Sequence, residues 1–296
     1  MTSQAWLASR QLEPFPAKEA GAVVGLAILM PVLRWALEAC VFKPLGYCLM
    51  GRSLQPSKST RLRLQSRVRK FAESQWKLFC YTTFTALGVA AVLRQPWALD
   101  TQQYWDGWPD QPVTAAMRLL YAAELAYYTA TTVMLATWEV ARKDFHVMMT
   151  HHFLTAVSMV FTYKYNYTRV GCVVMLLHDI NDVLMETAKS LNYLGLEAGA
   201  TAVFALFVAS WVVLRLLIFP ACIIRSTFWE VWQLLGYRPP YHVMLNAMLV
   251  ALFCIHIYWF GLILRIAYRK LTTGQGRDIR EAADSDSEGE AGAHNE

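Results

Sequence analysis

Seven stretches of mainly apolar residues run through this chain, near 20–42, 76–93, 113–132, 147–163, 168–185, 200–224 and 243–265, and their length decides the fold class. A bilayer core of roughly 30 Å is crossed by a helix of about 17 to 25 apolar residues. No water is present there to serve the backbone, so each segment must pair its own N–H and C=O groups. A β-barrel would show alternating segments of about ten residues instead, and none is found. The chain therefore reads as an all-α membrane protein with about seven transmembrane helices, a first separate span followed by a six-helix bundle. Its 56% hydrophobic content and mean hydropathy of +0.29 exceed those of an ordinary soluble domain.

Charge orients the spans. Lys43, Arg52, Lys58, Arg61, Arg63, Arg67, Arg69 and Lys70 crowd the connection after the first span, whereas 94–112 sets Arg94 against Asp100, Asp106 and Asp110. The excess of Lys and Arg places residues 43–66 in the cytosol and residues 1–19 in the lumen. Seven crossings then bring the carboxy terminus to the cytosol, in agreement with Arg265, Arg269, Lys270, Arg277 and Arg280. Basic residues beside spans set topology and touch anionic lipid, so the run is not read as a nucleic-acid footprint. A removable signal peptide would need a basic start and a small-residue cleavage site, so the first span reads as a retained anchor. The linker ends in an amphipathic stretch, 61–75, expected to lie along the membrane surface before the chain enters at Trp76. Five of the six cysteines fall in spans, where thiols act as small hydrophobes, and no disulfide framework is inferred.

Residues 269–296 are different material. Their end is acidic and nearly free of apolar bulk, which predicts disorder. Ser285 and Ser287 lie among Asp284, Asp286, Glu288 and Glu290 and are candidate phosphorylation sites, although a merely solvated tail has the same composition. Asn166-Tyr167-Thr168 is an N-glycosylation sequon in a turn too close to the membrane for modification.

The chemistry is concentrated in the fourth and fifth spans. Ionisable side chains within hydrocarbon-length segments are costly and by default mark a cavity or a site. At about 100° per residue, His178, Asp179, Asp182, Glu186 and Lys189 fall within an arc of roughly 100° on one helix. His151 and Thr155 are one turn apart on the preceding helix, with Ser158 nearly in line, and the short link 163–168 makes the two helices antiparallel neighbours. Drawn as regular helices, His178 stands about 10 Å deeper than His151, with Asp182 and Glu186 closer to its level. A neutral histidine can serve as general base or as nucleophile towards an activated acyl group, and a carboxylate such as Asp182 can orient and charge-balance an imidazole. The bland alternative is that these groups pair with one another and only hold helices together. Metal binding is weaker: seven histidines, with His146, His151 and His152 as HxxxxHH and His242, His256 and His294 scattered, are too few for a diiron site, and a single zinc is the residual option.

These residues carry a family resemblance. The segment 144–193, with His151-His152-x-x-Thr155, Tyr163-x-x-Asn166-Tyr167-x-Arg169-Val170-Gly171 and His178-Asp179-x-x-Asp182-x-x-x-Glu186-x-x-Lys189-x-x-Asn192-Tyr193, resembles the Lag1 motif of ceramide synthases. Arg69-Lys70-Phe71 through Trp76-Lys77, Tyr127-Tyr128, Trp138, Arg142-Lys143-Asp144-Phe145, Arg215, Pro220 and His256-x-x-Trp259-Phe260 extend the likeness over residues 67–268, the TRAM–Lag1–CLN8 (TLC) domain.

The resemblance implies an endoplasmic-reticulum, multi-pass enzyme that joins the acyl group of a fatty acyl-CoA to the amine of a sphingoid base, giving ceramide or dihydroceramide. It implies catalytic roles for His151, His152, Asp179 and Asp182 with His178 alongside. Thr155, Arg169, Asn181, Glu186 and Lys189 are the substrate-binding or supporting candidates. No metal and no cofactor is expected beyond acyl-CoA as co-substrate. Partners would be the two substrates, membrane lipids and a homo- or heterodimeric mate, with no nucleic acid. The resemblance also implies that acyl length is set partly by the segment near 225–241. The linker after the first span lacks the homeobox-like insert of many animal members, which suggests a fungal, protist or plant-type architecture. The rival readings are a non-catalytic TLC protein in lipid sensing and a lipid transporter. A G-protein-coupled receptor is excluded by the lack of DRY and NPxxY patterns.

Overall fold

The computed structural model describes residues 17–51, 58–137 and 144–273. Ser285, Ser287, the amino-terminal segment, Trp138, Arg142 and Lys143 lie outside them. Among the described residues the protein is helical with no strand. In chain order it comprises α1 (Ala17–Leu37), a π-helical turn (Glu38–Phe42), α2 (Lys43–Met50), α3 (Lys58–Val92), a 3₁₀ turn (Thr101–Tyr104), α4 (Ala115–Thr137), α5 (Phe145–Lys164), α6 (Thr168–Leu194), α7 (Glu197–Ser210), two π-helical segments (Trp211–Ile224 and Ser226–Glu230), α8 (Val231–Leu235) and α9 (His242–Thr273). Three rods are long and apolar enough to cross a membrane: Lys18–Met50, Glu197–Leu235 and His242–Thr272. Exposed Ile28, Val32, Trp35, Leu206, Leu217, Val243 and Ile257 on these rods give them apolar outer faces suited to lipid.

The helices of intermediate hydropathy carry their polar groups inward or bond them locally. In α4, Thr129, Thr131, Thr132 and Thr137 each return the hydroxyl to the carbonyl four residues back, so no hydroxyl is left bare in an apolar setting. Helix α6 ends where Gly195 adopts φ 78°, and Leu196 N–H reaches back to the Leu191 carbonyl at 3.0 Å, closing a left-handed cap that a side chain would strain.

Four expectations are corrected by the packing. The stretch 61–75 does not lie apart on a membrane surface: it is collinear with the following span in one 35-residue helix, about 50 Å long. Its face of Val68, Phe71, Ala72 and Ser74 is buried against the rest of the protein, and that burial keeps the helix straight through Gln75. The first span is not isolated, because α1 docks along α4, with Arg34 buried between Glu38 Oε1 at 2.8 Å and the Met134 sulfur. An apolar cavity of about 540 Å³ remains between α1 and α4, lined by Val23, Ala27, Pro31, Leu125 and Met134. Residues 211–224 follow a π-helix containing Pro220 rather than an α-helix, and bury Trp211, Arg215, Phe219 and Ile223 at intervals of four. Finally, α5 and α6 are joined by a tight turn but share few contacts. Helix α6 packs along α3, while α5 packs on α4 and α9. The turn is fixed by Gly171, where a β-carbon would overlap the Tyr121 hydroxyl that bonds Thr162 at 3.1 Å.

The segment 93–114 is a folded cap rather than a bare connection. Trp97, Tyr104 and Trp105 are buried, Trp105 Nε1 donates to Ser226 Oγ at 2.9 Å, and Gln111 Nε2 donates to the Tyr104 and Asp106 carbonyls. Asn166 inserts its amide here, donating to the Pro109 carbonyl at 2.6 Å and the Gln111 carbonyl at 2.9 Å. The sequon amide is thus buried with both N–H groups engaged, a physical bar to glycosylation beyond its short turn.

Candidate active site

Helix α5 brings His151 inward, and His151 and His152 meet with ring centroids 5.9 Å apart. Tyr128 of α4 packs edge-on against both, at 6.1 and 5.5 Å, and Trp259 of α9 closes on His151 at 5.1 Å. His151 is buried, and its Nδ1 has no hydrogen-bond partner among the described residues. Thr155, one turn on, keeps a buried hydroxyl equally unengaged. Behind this group Phe207, Trp211, Trp259 and Ile263 form a small apolar cluster that shields the end of the bundle.

The stripe on α6 faces inward as its spacing predicts. His178, Asp179, Asn181 and Glu186 are buried, and Asp182 and Lys189 are partly so. Their partners differ from a simple histidine–carboxylate relay. His178 Nδ1 lies 2.6 Å from the Val174 carbonyl, which can only accept, so that nitrogen carries the proton. The neutral ring then presents a lone pair on Nε2, and His256 Nε2–H donates to it at 2.8 Å. Both nitrogens of His178 are thereby engaged. Asp182 meets no imidazole: Arg215 of the π-helical segment donates to its Oδ1 at 3.0 Å and to the His178 carbonyl at 2.9 Å, while Arg215 Nε reaches Asn181 Oδ1 at 3.3 Å. The guanidinium also lies over the Trp211 ring at 4.2 Å. Such a pair is held by geometry on all sides, and removing one member would leave the other charged and dry.

Helix α9 serves as a ruler between the two groups. His256 meets His178 and Trp259 meets His151, three residues or about 4.5 Å further along the axis.

The supporting candidates separate. Asn181 joins the Arg215 network and bonds Ser210 at 2.6 Å. Glu186 accepts from Ser74 at 2.6 Å and Lys189 at 2.8 Å, tying α3 to α6. Arg169 is not brought to the group. It lies at the far end of α6, donating to the Gln103 and Asp106 carbonyls and facing Trp97, so it clamps the cap. Arg215 and His256, quoted above only as part of the likeness, and Glu124 of α4 all belong to the interior. The rule that found the histidines, an ionisable residue inside an apolar span, would have found them too. Among the described residues no group of three or more metal-ligating side chains is assembled.

Comparison with known proteins places this geometry. The TLC domain matches residues 70–265. ASC1-like protein 3 of Oryza sativa subsp. japonica is 37% identical over 264 residues, covering 87% of this chain and 91% of that protein. Ceramide synthase 1 LOH3 of Arabidopsis thaliana is 36% identical over 276 residues, covering 89% of each. Ceramide synthase 5 of Homo sapiens is 36% identical over 224 residues, covering 75% of this chain but 56% of that protein. The chain belongs to the TLC-domain family and, within it, to the ceramide synthases.

Proposed function

We propose that this protein transfers a fatty acyl group from acyl-CoA to the amine of a sphingoid base, giving N-acylated base and free CoA. The observation that carries the reading is His151: a buried imidazole with an unengaged nitrogen, walled by Tyr128, His152 and Trp259 inside a TLC domain. The protein would sit in the endoplasmic-reticulum membrane with about seven spans, the amino terminus lumenal and the carboxy terminus cytosolic. Residues 20–42 serve as first span, 43–66 as cytosolic linker and 67–268 as the acyl-transferring domain. The basic residues of 58–70 and the acidic balance of 94–112 support that orientation, which places the histidine pair in the cytosolic half.

Acyl-CoA would set its charged head at the basic edge and its tail among the helices. In one route His151 attacks the thioester carbonyl, a C–N bond forms as the C–S bond breaks, and the leaving thiolate takes a proton. The amine then attacks the acyl-imidazole, loses its proton and restores the ring. In the other, His151 removes the amine proton as the amine attacks the thioester directly, and the thiolate leaves protonated. His152 and Asp179 support the reacting group. His178 and Asp182, held by His256 and Arg215, position rather than react.

The test uses purified protein with acyl-CoAs of several lengths and sphinganine, read by mass spectrometry beside a His151→Ala, His152→Ala control. N-acyl-sphinganine from the unsubstituted protein alone supports the synthase and reports its chain preference. No product at any length from folded protein refutes it. An acylated protein trapped before the base is added selects the covalent route, and its absence in a competent enzyme selects base catalysis.

A further inference from the structure

Where α1 lies along α4, the cavity of about 540 Å³ between them has a floor of buried Val23, Leu125, Ala130 and Met134. Val24, Ile28 and Val133 also line it and are each more than half exposed, so the space opens sideways, on the apolar outer face of a membrane-length rod. The small side chains of Ala20, Ala27 and Ala130 leave the gap unfilled. Among the described residues Thr129 is the only polar side chain in the lining, and it spends its hydroxyl on the Leu125 carbonyl at 2.7 Å. Arg34, about one turn beyond Pro31, closes one end with its guanidinium 3.9 Å from the Met134 sulfur. The walls offer contact to carbon and little else.

Size and shape narrow the occupant. The lining on α1 runs from Ala20 to Pro31, about 16 Å at 1.5 Å per residue. That is close to half of a bilayer core of roughly 30 Å, the depth that the chains of one leaflet fill. At roughly 30 Å³ for a group the size of a water, the volume takes on the order of eighteen methylene-sized groups. A helix of a second copy, about 10 Å across, is too thick to enter. Water would find no polar partners there, and an empty gap would forfeit the dispersion contacts of every side chain around it.

The cavity is also on the wrong side of α4 for a reacting chain. At about 100° per residue, Thr129, Ala130 and Val133 stand roughly 100° to 200° around the helix from Tyr128, which meets both histidine rings. Val160 of α5 lines the cavity too, and it lies about 13 Å along that helix from His151. We propose that the cavity holds one aliphatic chain of a membrane lipid, taken in from the side, and that this chain completes the packing of the first span on α4.

The experiment places the whole protein in nanodiscs of phosphatidylcholine, part of which carries a photoactivatable diazirine in an acyl chain. Adducts formed on irradiation are mapped by peptide mass spectrometry. Unsubstituted protein should be labelled at buried Leu125 and Met134 as well as at Val32 and Trp35, which are exposed on α1 outside the cavity. A130F and A27L, each checked for folding by elution profile, fill the space from opposite walls. Both should lose the Leu125 and Met134 adducts while keeping those on Val32 and Trp35. Excess palmitoyl-CoA should leave the pattern unchanged. Absence of the Leu125 and Met134 adducts from unsubstituted protein overturns the assignment, and that arm needs no variant to fold. So do adducts that persist at both positions in a folded variant. Depletion by palmitoyl-CoA would make the cavity a substrate-tail site and overturn the assignment to a membrane lipid. None of these readouts requires turnover, so failure here is distinguishable from failure of the acyltransferase reading.

Discussion

The start and the middle of α6 both bury polar groups, yet they use them in different ways. At its start, Asn166, Arg169 and Gln111 direct their donors at backbone carbonyls of the cap, and Trp105 bonds Ser226, leaving Gln111 Oε1 and Arg169 Nε without a partner. In its middle Asp179 Oδ2, and across the interior Glu124 Oε1, His151 Nδ1 and Thr155 Oγ1, are buried with no hydrogen-bond partner among the described residues. Carbonyl-bound donors make a fixed joint, because an acceptor on the main chain cannot move away. Unengaged imidazole and carboxyl atoms cost stability and persist where something else uses them. Buried polarity alone does not mark a site; what separates the interior from the cap is that its unengaged atoms include those of an imidazole and of carboxyl groups.

That contrast can be broken by substitution. His151→Ala with His152→Ala should lower N-acyl product by about a thousandfold or more with no loss of folded protein, measured by mass spectrometry and elution profile. Retained turnover would make the histidine end as structural as the cap. Arg215→Met should strand Asp182 and lower stability by on the order of 3 kcal/mol, seen as a lower thermal midpoint, with turnover reduced in what remains folded. His256→Phe should reduce turnover about tenfold by freeing His178 Nε2, and His256→Gln, which still offers an N–H, should recover most of it. The smallest effect belongs to the cap. Arg169→Ala should cost about 1 to 2 kcal/mol in thermal stability while turnover per folded molecule stays within about twofold.

Period and cost made much of this legible in advance. The stripe on α6 was readable because spacings of three and four place residues on one face, and the charges there had to face inward. Helix identity elsewhere followed from apolar length. Three things were not local and so stayed hidden. Whether 58–75 bends away from 76–92 depends on non-local contacts, because Val68 and Phe71 close on Gly46 of α2 while Ser74 and Gln75 bond Glu186 and Ser190 of α6. The π-helical register of 211–224, which brings Arg215 to Asp182, is specified by neither propensity nor periodicity, because neither encodes an i→i+5 ladder. The pairing of His178 with His256 joins residues 78 apart in the chain, a distance over which spacing arguments are silent. Arg169, named as a supporting candidate from its place in the motif, sits more than two turns before His178 on α6 and bonds the Gln103 and Asp106 carbonyls of the cap.

The seated amide of Asn166 also orders events in time. In the orientation proposed above the sequon faces the lumen, where a glycosylating enzyme needs an extended acceptor, and the acceptor nitrogen is free only until residues 109–111 close over it. Any sugar found on this sequon would therefore date its attachment to before the cap closed. It would mark molecules that lingered unfinished, and its absence would mean that closure outran the enzyme.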